Sequence, residues 1–85
     1  MDRLNNMAIF VEVANGEGFT AAAETMGLSR AQVSKSVIQL ESHLGTRLLN
    51  RTTRRVSLTE IGRIYYERCK TILNDINEIE AIASE

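Results

Sequence analysis

The sequence predicts a mainly α fold: a three-helix core, a two-stranded wing and a long terminal helix. Three observations carry this expectation. Eighty-five residues contain no proline and only five glycines, so little interrupts a helix, and that length buries one modest core. Apolar residues recur at helical spacing in three short segments punctuated by Gly16, Gly27 and Gly45. A last segment, opening at Thr59, keeps an apolar period to residue 83.

The elements follow in chain order. Leu4, Met7, Phe10, Val11 and Ala14 fall at helical spacing and predict a first helix over 3–15, ended by Asn15-Gly16. Ile9 and Val13 lie off that stripe and need a second partner. Thr20 is expected to cap a short helix, Ala21 to Met26, which Gly27 stops in the left-handed conformation. The small Ala21, Ala22 and Ala23 let another helix approach closely. Ser29 opens the third helix, over 30–44, with a capping box: Ser29 and Gln32 each satisfy an otherwise unpaired backbone N–H. Along it Val33, Val37, Leu40 and Leu44 gather on one face. Ala31, Lys35, Ile38 and Ser42 lie opposite, flanked by Ser34 and Gln39. Gly45 ends it. Two helices joined by a tight glycine-containing turn make a helix-turn-helix unit.

Leu48-Leu49-Asn50-Arg51 and Arg55-Val56-Ser57-Leu58 flank Thr52-Thr53-Arg54 and predict a wing over 49–58. A lone hairpin is marginal, so Leu49, Val56 and Leu58 must lean on the helices. Thr59 caps the last helix, with Glu60 in the first turn where the helix dipole favours an acid. Ile61, Tyr65, Cys69, Ile72, Ile76, Ile79 and Ala83 then recur at four- and three-residue steps. Beyond about Tyr66 little domain is left to cover such a seam, which implies burial against another chain. The competing reading folds this helix back on its own domain. Tyr65 and Tyr66 pack its start onto the core in either case. The expected division is a winged helix-turn-helix domain over 1–58 and a linker helix for dimerisation over 59–85.

Composition removes several function classes. No stretch approaches the roughly 18 apolar residues of a membrane span, and Met1 to Ala14 lacks the basic head and apolar body of a secretory signal, so the expected location is the cytoplasm. One cysteine and one histidine make neither an internal disulfide nor a metal-ligand cluster; no cofactor is expected. Cys69 reads as a small core hydrophobe as well as a member of the seam, and His43 as a surface residue. An activated nucleophile, a paired-carboxylate cleft and a phosphate-binding glycine loop are all missing from the pattern, so an enzyme is the weakest reading.

The charge distribution is more telling than its total of −1. Between Arg30 and Leu58 six cations face Glu41 alone, a net +5, whereas residues 1–29 carry −3 and the last fifteen carry −4. Such segregation focuses positive potential on one part of a nearly neutral molecule and suits a polyanion. The B-DNA major groove admits one α-helix, and small residues in its first turns let the backbone approach base edges. Ser29, Ala31 and Ser34 are small. Arg30, Gln32, Ser34 and Lys35 supply donors, with phosphate the expected target of Arg30 and Lys35. Ile38 is placed to touch a thymine methyl. At the wing, Arg54 can enter the minor groove while Arg51, Thr53 and Arg55 hold phosphates.

The order Phe19-Thr20-x-Ala22-Ala23-Glu24-x-x-x-Leu28-Ser29, then Val33-Ser34-Lys35-x-Val37-x-x-Leu40-Glu41-x-x-Leu44-Gly45, then Leu48-Leu49-Asn50-Arg51-Thr52-x-Arg54, then Leu58-Thr59-Glu60-x-Gly62 resembles the N-terminal DNA-binding domain of LysR-type transcriptional regulators. The match spans nearly the whole chain. The resemblance implies a winged helix-turn-helix that binds double-stranded DNA as a homodimer through the linker helix, with tetramers in the full-length protein. It implies pairing of the first helix with the partner's linker helix, which would bury Ile9 and Val13. It also implies a further domain, absent from this chain, that senses a small-molecule co-inducer. Family base reading falls on Arg30, Ala31, Gln32, Ser34 and Lys35, and the minor-groove arginine on Arg54. Many relatives have Gln, Pro or Ser at the Arg30-Ala31 positions, and Ile38 stands where a basic residue is frequent, so the preferred half-site need not be theirs.

The expected function is therefore sequence-specific DNA binding in transcription regulation, through Thr20, Ser29, Arg30, Ala31, Gln32, Ser34, Lys35, Ile38, Arg51, Thr53, Arg54 and Arg55. The expected dimer interface is Ile9, Val13, Tyr65, Cys69, Ile72, Ile76, Ile79 and Ala83. The alternative is a winged-helix protein–protein interaction module whose basic face binds an acidic protein.

Overall fold

The computed structural model describes residues 2–16, 18–51 and 56–84. Its elements run α1 (Arg3–Gly16), α2 (Phe19–Met26), α3 (Arg30–Leu44), β1 (Leu49–Arg51), β2 (Val56–Leu58) and α4 (Glu60–Ser84). α1 starts where the Asp2 carboxylate accepts the Asn5 N–H at 3.1 Å, satisfying one of the unpaired donors of a first turn. α2 begins earlier than the sequence suggests. Gly18 stands at its N-cap without a side-chain cap, and Phe19 is its first residue. Thr20 is thus an exposed residue of the first turn, not the cap. Burial of Phe19 in the core outweighs the roughly 1 kcal/mol that a side-chain cap contributes.

Gly27 and Gly45 both adopt the left-handed conformation, with φ of 66° and 71°, and stop α2 and α3 as expected. Each cap glycine donates its N–H to carbonyls of the last turn, the arrangement that an L-residue enters only at a cost.

α1, α2 and α3 pack on one another around Phe10, Ile9, Val13, Val33, Val37 and Leu40. Here the sequence reading needs correcting. Ile9 and Val13, assigned to a partner, are 1% and 0% exposed inside the chain's own core. Leu4, counted on the buried stripe of α1, is instead 49% exposed. The reason is that α1 sits at the centre: α2, α3, α4 and β2 all contact it, so its buried arc is far wider than one apolar stripe.

β1 and β2 pair antiparallel with Leu49 opposite Leu58, Asn50 opposite Ser57 and Arg51 opposite Val56. Leu48 and Leu49 are buried, and Val56 and Leu58 lean on the core, which gives the short hairpin the support it needs. Thr59 then joins wing to helix. Its hydroxyl donates to the Arg47 carbonyl at 2.8 Å and accepts the Gly62 N–H at 2.9 Å. Gly62 is required where it stands, because a Cβ there would overlap the carbonyl oxygen of Leu48.

The globular unit does not stop at residue 58. Cys69 is 1% exposed, Tyr65, Tyr66 and Leu73 pack on the core, and the Tyr65 ring meets Phe10 at 5.7 Å. Tyr66 donates its hydroxyl hydrogen to Asn15 Oδ1. Burial, with Cys69 close by, pushes the Tyr65 phenol up to about 12, and burial raises the Cys69 thiol above its ordinary value. Half of α4 is therefore part of the domain, and the remainder projects from it.

Candidate nucleic-acid interface

The start of α3 is built as a fixed platform. Ser29 Oγ accepts the Gln32 N–H at 3.1 Å, and Gln32 Oε1 accepts the Ser29 N–H at 2.8 Å, closing the expected capping box. Three core anchors, Val33, Val37 and Leu40, are all fully buried, so rotation of the helix about its axis is prevented. What remains outward is Arg30, Ala31, Gln32, Lys35 and Ile38, all exposed, with Ser34 half-buried at the margin. Thr20 is exposed on the neighbouring helix. Among the described residues neither Arg30 nor Lys35 pairs with a carboxylate. Their charges are left for solvent or a ligand.

Two side chains are held by contacts within the chain. Gln32 has its Oε1 engaged in the cap, while its amide N–H groups stay available as donors. Arg51, expected on a phosphate, is turned inward. Its Nη2 lies 3.1 Å from Glu41 Oε1 and its guanidinium carbon 5.6 Å from the centre of the Phe19 ring. A guanidinium already paired and stacked is a poor free cation. The expected contacts Thr53, Arg54 and Arg55 lie outside the described residues.

Glu41 entered the sequence analysis as an opposing charge and as part of the family pattern, not as a buried side chain. It is buried, and it accepts the backbone N–H groups of Leu48 and Leu49 at 2.8 and 3.2 Å. A signal was present: position 41 follows Val37 by four residues, which places an acid on the apolar face ahead of two arginines. Arg47 completes the surroundings, with Nε 3.5 Å from Glu41 Oε2. An open groove lies over this cluster, bounded by Ile38, Ser42, Thr46 and Arg47.

On α4 the expected interface separates into two parts. Cys69 is spent inside the core, like Ile9 and Val13, and Tyr65 is half-buried against Phe10. These four are corrected to intrachain packing. Ile72 and Ile79 remain outward at 44% and 60% exposure, Ala83 is exposed and Ile76 half-buried. Ile64 and Ile82, which the seam omitted, are also exposed, as is Ile61. The seam ran between two faces of the helix: at about 100° per residue, positions 61, 64, 72, 79 and 82 share a side distinct from that of 62, 69 and 73. The outward isoleucines, from Ile61 to Ile82, leave an exposed apolar face along this helix.

Three comparisons bear on this arrangement. Residues 4–63 match the family described as bacterial regulatory helix-turn-helix proteins, lysR family. The chain is 52% identical over 81 residues to an HTH-type transcriptional repressor of Pseudomonas aeruginosa, and 42% identical over 79 residues to the HTH-type transcriptional activator AaeR of Escherichia coli. These alignments take in 95% and 93% of this chain but 26% of each relative, so the chain spans about a quarter of the length of either. A crystal structure of the BenM DNA-binding domain with catB site 1 DNA superposes with a TM-score of 0.93 at 27% identity, covering 99% of this chain and 92% of that one.

Proposed function

Because the chain belongs to the lysR family of bacterial regulatory helix-turn-helix proteins, we propose that it is the sequence-specific DNA-binding part of a transcriptional regulator. One observation carries the proposal: a capped helix, locked to the core by three buried anchors, holds Arg30, Ala31, Gln32 and Lys35 outward on an exposed face. Such a helix fits the major groove, with small residues where the backbone comes closest to base edges. Arg30 and Lys35 take phosphates, Gln32 donates to a base acceptor through its amide, and Ile38 meets a thymine methyl. The wing lies at the adjacent minor groove, which Arg54 enters.

Two copies bind together. The outward isoleucines of α4, from Ile61 to Ile82, meet those of a second chain, since a row of this length is unstable in water. A two-fold dimer places its recognition helices on half-sites one helical turn of DNA, roughly 34–36 Å, or a multiple apart. The site of action is the cytoplasm, where the bacterial chromosome lies.

Selection of bound sites from a random duplex pool tests this reading. The expected result is a two-fold symmetric pair of half-sites, with affinity falling linearly in log salt at about 0.9 per phosphate neutralised. Lys35→Ala should lower that slope by about one unit. Recovery of no common sequence would refute base reading. For the dimer, Ile72→Glu with Ile79→Glu should give monomers by sedimentation and lose affinity for paired half-sites.

A further inference from the structure

Glu41 is the single acid between Arg30 and Leu58, and it is 6% exposed. It stands on α3, one turn before that helix ends. Its four partners all lie beyond the helix: Arg47, then Leu48 and Leu49 at the opening of β1, then Arg51 at the end of that strand. Three points along the wing strand are therefore held by one side chain of the recognition helix. The other strand, β2, contacts α1 and α4.

Filling space does not explain a buried carboxylate here. A well-packed apolar side chain would occupy the same volume without the cost of taking a charge out of water. What an apolar side chain lacks is direction. Two backbone N–H donors and a guanidinium converging on two oxygens define both a distance and a strand register, because charge-assisted hydrogen bonds are short and angle-dependent. A one-residue slip of β1 would exchange the faces of Leu49 and Asn50.

We propose that Glu41 is a positioning residue for DNA recognition, locking the wing to the recognition helix so that the major-groove and minor-groove contacts engage in one fixed relation. The proposal rests on the DNA-binding reading above. Arg51 is the second half of the lock: held by Glu41 and laid over the Phe19 ring, it fixes the point from which the chain enters the wing tip. Without the lock α3 still sits on Val33, Val37 and Leu40, while the wing loses its tether to that helix. The two groove contacts should then come apart.

The test uses wild-type protein, Glu41→Gln and Arg51→Lys on a duplex that the wild type selects from a random pool. Thermal unfolding, salt-dependent affinity and two footprints are measured. Dimethyl sulfate reports guanine N7 in the major groove, and hydroxyl radicals report sugars along the minor groove. Glu41→Gln is expected to bind the selected duplex tenfold or more weakly while losing far less affinity for an unrelated duplex. Its hydroxyl-radical protection beside each half-site should fade while the dimethyl sulfate protection persists. Arg51→Lys keeps its charge, so the same separation should appear in weaker form at an unchanged salt slope. Parallel fading of both footprints, or wild-type behaviour of both variants, overturns the lock and leaves DNA binding intact. A wild-type protein that selects no duplex overturns the DNA-binding reading and the lock with it. Should Glu41→Gln fail to fold, Arg51→Lys decides alone, since its side chain is 26% exposed and tolerates replacement.

Discussion

α3 and α4 are built alike and end with opposite surfaces. Each opens on a hydroxyl cap, Ser29 or Thr59, and each carries apolar residues along its length. In α3 the chain's own core takes Val33, Val37 and Leu40 completely, and what remains outward is polar and cationic over the first turns. In α4 the core takes Gly62, Cys69 and parts of Tyr65, Tyr66 and Leu73, then runs out, leaving Ile72, Ile79 and Ile82 in solvent. What a helix offers a partner is the remainder after its own domain has been satisfied. For α3 that remainder fits a polyanion, and for α4 it fits another apolar helix.

The comparison can be broken most severely on the α3 side. Leu40→Ala should cost about 2–5 kcal/mol in chemical denaturation, because the site is fully buried and enclosed. A loss below 1 kcal/mol would mean that α3 is not anchored as described. Gly62→Ala comes next. A helical alanine is worth about 1 kcal/mol over glycine, yet overlap with the Leu48 carbonyl should win, giving a net loss of about 2 kcal/mol. In an 85-residue domain that lowers the midpoint by about 10 °C. A more stable variant would show that α4 can move away from the wing without penalty.

Ser29→Ala removes half of the capping box and should cost about 1 kcal/mol, with hydrogen exchange accelerated at Gln32 ahead of the rest of α3. Ile79→Ala sharpens the contrast from the other side. At concentrations where the protein is monomeric, its stability should change by less than about 0.5 kcal/mol, although the residue is as apolar as Leu40. A larger loss would mean that α4 folds back on its own domain. The smallest effect is absent at neutral pH. Tyr65 titrates at about 12 in the folded chain against 10.0 as a free group, and the Cys69 thiol is raised as well. Stability is thus complete below the unfolded values and declines as pH rises through 10 towards 12. Tyr65→Phe should blunt that alkaline decline in a pH series of melting curves.

Most of the element list was legible because local chemistry dictates it. Glycine at 27 and 45 stops helices in any context that allows φ > 0, and Ser29 with Gln32 closes a capping box using atoms three residues apart. The beginning of α2 was not legible. Thr20 has the chemistry of a cap, but Phe19 has a core to enter, and the helix starts where the ring is buried. Tyr65 and Cys69 of the expected seam pack inside their own chain for a related reason. Ile61, Tyr65, Cys69, Ile72 and Ile76 all fit a heptad-like spacing, and spacing does not say which part of the helix lies over Phe10. Arg51 read as a cation for phosphate because its acid, Glu41, stands ten positions away in the chain.

The sequence alone determined the succession of helices and wing, the cluster of positive charge between Arg30 and Leu58, and the polar start of α3. Each depends on neighbours within a turn or two, and such interactions are present whether or not the chain has folded. Only the tertiary structure decided that Ile9, Val13 and Cys69 are interior, that Arg51 answers Glu41, and which isoleucines of α4 stay outside. Those outcomes depend on where the surfaces of distant elements meet, and burial is a property of that meeting.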